Sequence, residues 1–82
     1  MSKAKEFLEK KGARALLADQ MGVTRQSVSL WLTGQTKPNV KNIIRMSKAL
    51  TELGVPSTPS DILILCNEAR EDYEAANPVE EG

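Results

Sequence analysis

The sequence predicts an all-α fold of five helices, and three observations predict it. Apolar residues recur at helical spacing along most of the chain, no segment alternates convincingly as a strand would, and glycine or proline punctuates the pattern at short intervals. At 82 residues the chain is one small domain, near the lower limit at which a single core sustains itself. That size favours a partner subunit and argues against a deep catalytic pocket.

Each element has its own signals. Ala4, Phe7 and Leu8 define a first amphipathic helix, expected to stop at Gly12 in a left-handed cap. A second helix is expected from about Ala13 to Met21, with Leu16, Leu17 and Met21 as its apolar face and Gly22 as its end. Thr24 can N-cap a third helix from Arg25 to about Thr33, closed by Gly34. Gln35 to Asn39 reads as a polar loop containing Pro38. Val40, Ile43, Ile44, Ser47, Leu50 and Leu53 then follow the spacing of a fourth helix whose other face is basic. Gly54 to Ser57 breaks the pattern. Thr58-Pro59-Ser60-Asp61 starts a fifth helix, with a threonine cap, proline at the first position and an acid at N3. This helix is expected to run through Tyr73 to about Ala76, and residues 77–82 are expected to fray.

The formal net charge is zero, but the charges are segregated. Residues 1–50 hold ten bases and three acids, a net of +7, whereas residues 51–82 hold one base, Arg70, and eight acids, a net of −7. A basic body can meet an anion while an acidic tail stays in solvent or tempers the encounter. The chain has no histidine and a single cysteine, Cys66, which excludes an imidazole base, a thiolate-rich metal site and an intramolecular disulfide. No cofactor and no metal are expected. Without a leader-like segment or an apolar run long enough to span a bilayer, a cytoplasmic protein with no membrane role is expected.

Two short helices joined by a glycine-containing turn form a helix-turn-helix, whose second helix can lie in the DNA major groove. Ala18, four residues before Gly22, lets the two helices approach closely, and Val28 and Trp31 fall where the third helix must pack back on the others. The segment Ala18-Asp-Gln-Met-Gly-Val-Thr-Arg-Gln-Ser-Val-Ser-Leu-Trp-Leu-Thr-Gly34, followed by Lys37-Pro38 and the helix from Ile43 to Leu50, resembles the phage repressor and Cro type of helix-turn-helix domain. The resemblance covers roughly residues 4–56. It implies a five-helix, repressor-like DNA-binding domain that acts mostly as a dimer on an inverted-repeat operator, and it associates the chain with phage or prophage. Residues 1–66 are expected to form that domain and 67–82 an acidic extension.

The faces of the third helix can be separated by geometry alone. With 100° per residue and Val28 at zero, Trp31 and Leu32 fall within about 60° of it, on the buried stripe, and Leu30 falls about 160° away. Gln26, Ser29 and Thr33 share the outer arc with Leu30, and Arg25 projects from the tip. Arginine can pair with guanine O6 and N7, glutamine with adenine N6 and N7, and an aliphatic group can touch the thymine methyl. Arg25, Gln26, Ser29 and Leu30 are therefore the expected base readers. Arg25 could instead clamp a phosphate, Gln26 could be a solvated amide, Ser29 could bond a carbonyl of its own helix, and Leu30 could pack against another subunit or the Gln35 to Asn39 loop.

Phosphate contacts are expected from Arg14 at the start of the second helix, from the hydroxyls of Thr24, Ser27 and Thr33, and from Gln35, Lys37, Asn39 and Lys41 in or after the loop. In the fifth helix Ile62, Leu65, Cys66, Ala69 and Tyr73 make one stripe, which leaves Leu63 and Ile64 on another side and available to a second copy. Burial of both sets within one chain is the alternative.

These readings converge on a dimeric, cofactor-free regulator that binds a double-stranded operator and represses by occupying promoter DNA. The alternative in another class is an antitoxin-like or adaptor protein whose acidic C-terminal helix grips a basic protein partner, a reading that deletion of residues 68–82 is expected to test. An enzyme is disfavoured, because no carboxylate pair or base-activated nucleophile is apparent.

Overall fold

Five helices and no strand occupy residues 3–77, the residues that the computed structural model describes. They are α1 (Lys3–Leu8), α2 (Ala13–Met21), α3 (Arg25–Thr33), α4 (Val40–Glu52) and α5 (Pro59–Ala76). The all-α expectation holds. Most of the expected fraying segment, residues 78–82 with Glu80 and Glu81, lies outside the described residues.

The helix starts follow from local chemistry. The side chains of Thr24, Asn39 and Thr58 accept hydrogen bonds from the backbone N–H groups of Ser27, Asn42 and Asp61, satisfying donors that the first turn leaves without intrahelical partners. At α5 the Asp61 carboxylate reciprocates by accepting from the Thr58 N–H at 3.0 Å, with Pro59 preset in the first turn.

α2 packs on α3 and α4, α5 lies across α3 and α4, and α1 rests on α2 and α5. The largest fully buried side chains are Leu17, Val28, Met46, Leu50 and Ile62, so α2, α3, α4 and α5 all contribute to one core. Burying each of these contributes about 1.5–3 kcal/mol.

Several expected core positions turn outward. Leu16 is 53% exposed, and the buried side of α2 is Ala13, Leu17, Ala18 and Met21. This nine-residue helix, held between α3 and α4, turns two of its three alanines, Ala13 and Ala18, inward, and Leu16 falls about 100° from Leu17. In α4 the buried residues are Ile43, Met46, Ser47, Ala49 and Leu50, whereas Val40 and Ile44 are exposed at 72% and 44%. The centre of this stripe lies toward Met46 and Ala49, about 90° from Val40 and 130° from Ile44. Leu53 is the C-cap of α4, half-buried just beyond the helix.

Gly12 also differs from expectation. α1 ends at Leu8, where the Lys10 N–H reaches back only to the Phe7 carbonyl, and Gly12 serves as the N-cap of α2. In α5, Ile62 and Cys66 are buried and Leu65, Ala69 and Tyr73 half-buried, while Leu63 and Ile64 are exposed at 46% and 57%. Residue 67 lies within α5, so no break in the helix accompanies the change to acidic composition.

Candidate nucleic-acid interface

The link between α2 and α3 is a tight turn. Gly22 takes a left-handed conformation, φ 72°, and its N–H donates to the end of α2, while the Val23 N–H donates to the Ala18 carbonyl at 3.0 Å. Thr24 then opens α3 in extended backbone, and its Oγ1 accepts from the Ser27 N–H at 3.1 Å. Ala18, 1% exposed, is small enough to sit where the two helices meet.

This turn fixes what α3 presents. Val28 is fully buried, Trp31 is 9% exposed, and Leu32 is half-buried against the same core, so one side of the helix is anchored. Arg25 and Gln26, the first two residues of α3, are exposed. Ser29 and Leu30 are half-buried. The N-terminal turn of α3 therefore offers a guanidinium and a carboxamide beside backbone N–H groups that carry the positive end of the helix dipole.

The hydroxyls have partners inside the protein. Thr24 Oγ1 and Ser27 Oγ are 2.9 Å apart, besides the capping role of Thr24. Thr33 donates to the Ser29 carbonyl at 2.8 Å and accepts from Gln35 Nε2 at 3.3 Å. A phosphate contact from the Thr33 hydroxyl proton requires it to turn away from its own helix. Asn39 uses Oδ1 to cap α4, accepting from the Asn42 N–H at 2.8 Å, a bond that does not use its amide N–H groups. Lys37 and Lys41 are exposed on the loop and on the first turn of α4. Arg14, half-buried in α2, lines a groove shared with Leu32, Thr33, Glu9, Glu68 and Asp72.

Two arginines outside the expected set hold the unit together. Arg45 of α4 donates from Nη2 to the Met21 carbonyl at the end of α2. Arg70 of α5 donates from Nη1 to the carbonyls of Gly34, at 2.9 Å, and Gln35, at 3.1 Å, while its Nε pairs with Glu74 at 3.1 Å. Met21 is the last residue of α2, and Gly34 and Gln35 lie just past α3, so each helix of the helix-turn-helix ends beside an arginine supplied by a later helix, which complements the negative end of its dipole. Neither clamp has a local sequence signature, because each spans more than twenty residues. The sole signal was the isolation of Arg70 among acids.

Burial pushes the Cys66 thiol from an ordinary pKa of 9.0 up to about 11, so it is protonated and unreactive at neutral pH. No helix among the described residues is long and apolar enough to cross a membrane.

A helix-turn-helix family model matches residues 5–52, more than half of the chain, from within α1 to the last residue of α4. No curated protein and no solved structure matches the chain.

Proposed function

The chain belongs to the helix-turn-helix DNA-binding family, and from that membership we propose that it is a repressor that occupies an inverted-repeat operator as a dimer. Transcriptional regulation through DNA is the family's general role, and it is a binding role rather than an enzymatic one. One observation carries the reading: Arg25 and Gln26 stand exposed on the first turn of α3, the second helix of the motif, while Val28 and Trp31 seal its opposite side in the core. Arg25, Gln26, Ser29 and Leu30 then read base edges. Lys37 and Lys41, with Arg14, Thr24, Ser27, Thr33, Gln35 and Asn39, meet phosphates and set the register.

Two-fold pairing supplies the specificity that one short helix lacks, placing two copies of α3 about 34 Å apart. Leu63 and Ile64, exposed on α5, are the proposed contact between subunits. Ile64→Asp is expected to shift sedimentation toward the monomer. If Val40→Asp or Ile44→Asp does so instead, the interface belongs to α4.

Selection of bound sequences from random duplex DNA tests the function. Enrichment of an inverted repeat with half-sites one helical turn apart supports it, and enrichment lost in Arg25→Ala and Gln26→Ala supports the assigned face. No enrichment moves the reading to a protein-binding module. The exposed Glu68, Glu71, Asp72 and Glu74 of α5 favour that second reading, with a basic protein as partner. Deleting residues 68–82 does not separate the two readings cleanly, because the deletion removes Arg70 from the end of α3. Glu71→Gln with Asp72→Asn leaves that contact in place.

A further inference from the structure

We infer that Arg70 is a positioning residue for DNA binding, which holds the loop of residues 35–39 so that Lys37 meets the nucleic-acid backbone. The inference rests on the DNA-binding reading above and extends it to α5, which lies beyond the residues the family model matches.

The loop has five residues and two fixed ends. Its far end is Asn39, locked as the cap of α4. Its near end is Gly34, and there the fixing comes from α5. Gly34 has φ 84°, and a Cβ placed on it would lie 2.2 Å from the Ala69 carbonyl oxygen and 2.8 Å from the Arg70 nitrogen. Only glycine allows the α5 backbone to come this close. At the same place the Arg70 guanidinium spans the Gly34 and Gln35 carbonyls from a single nitrogen, and Glu74 holds the guanidinium through Nε. The backbone N–H groups of Gln35 and Thr36 turn back to the Leu30 carbonyl at 3.0 and 3.3 Å.

The direction in which Lys37 leaves the surface is consequently set three residues earlier. Arg70 is the only base among residues 51–82, in a segment with eight acids. Its cation faces helix-end carbonyls, where it offsets the negative end of α3.

The test is a double-mutant cycle read by the salt dependence of binding to random-sequence duplex DNA. Arg70→Met keeps much of the aliphatic stem and removes the clamp. With each variant shown to be folded by circular dichroism, Arg70→Met and Lys37→Ala are each expected to lower the slope of log affinity against log salt by about one per subunit. The double variant is expected to lose no more than either single one.

Additive losses would make Arg70 a direct phosphate contact and overturn the inference. So would a wild-type slope in Arg70→Met, or an unchanged slope in Lys37→Ala. Should the methionine variant not fold, Arg70→Gln, with a polar end on a shorter stem, takes its place in the same cycle. Failure of the wild-type protein to bind duplex at all brings down the DNA-binding reading itself, a result distinct from each of these.

Discussion

The guanidinium of Arg45 donates to the carbonyl of Met21, so α4 closes the last turn of α2 next to the turn glycine. The contact is part-buried and involves an ion, and such hydrogen bonds contribute about 1.5–3 kcal/mol. Arg45→Ala is expected to lower stability by that amount, or about 4–8 °C in Tm for each kcal/mol in a domain of this size. Thermal melts unchanged to within about 0.5 kcal/mol would mean that water serves Met21 equally well.

Gly34 and Gly22 occupy similar cap positions but are predicted to differ in their response to alanine. Both have positive φ, 84° and 72°, which costs a residue with a Cβ about 1–2 kcal/mol. At Gly22 nothing lies within 4 Å of the new carbon, so Gly22→Ala is expected to stay within that range. At Gly34 the new carbon meets the α5 backbone, and overpacking adds about 1–3 kcal/mol. Chemical denaturation of the two variants side by side checks the order. Equal losses would show that α5 yields freely at this point.

The contrast shows what could be read from the sequence. Gly34 was legible as a cap, because a left-handed residue after an amphipathic stretch is a local matter. Its second role, admitting the α5 backbone, depends on a residue 35 positions later and leaves no local trace. The same holds for the core. The angle from neighbouring residues places Val28 and Trp31 in the core, as the structure does, but periodicity favours large residues and so also puts Leu16, Val40 and Ile44 there, where the structure leaves them exposed. Ala18, Met46 and Ala49 belong to the core, and a hydrophobic pattern underweights the two alanines. Likewise a count of bases marked this half of the chain as cationic without showing that Arg45 is engaged with Met21.

Cys66 gives stability a pH dependence of known sign. Its thiol is raised from 9.0 to about 11 by burial, so the folded state holds the proton more tightly than the unfolded chain does. The resulting stabilisation is fully present below about pH 9 and is lost as pH rises toward 11. Unfolding free energies of the wild type and Cys66→Ala, measured from pH 7 to 11, are expected to converge over the upper part of that range as the wild type loses its advantage. A difference constant with pH would assign the effect of Cys66 to packing alone. Native protein is also expected to react slowly with a thiol reagent at pH 8, and unfolded protein rapidly.

Leu30 follows Ser29 on α3, facing away from Val28, and is half-buried rather than inserted in the core. Its own carbonyl receives the N–H groups of Gln35 and Thr36, so the backbone beneath the side chain is held by the loop. A fixed aliphatic group among Gln26, Ser29 and Thr33 suits the thymine methyl, whose contact is worth about 0.8 kcal/mol, or about four-fold in affinity per half-site. Replacing the contacted thymine by uracil is therefore expected to weaken the wild type about four-fold and to leave Leu30→Ala nearly unchanged. If every thymine-to-uracil change affects the two proteins equally, Leu30 is not a base reader. Its side chain would then pack against the loop or offer its exposed part to a second subunit, and sedimentation of Leu30→Ala separates those two, because only the latter alters the oligomeric state.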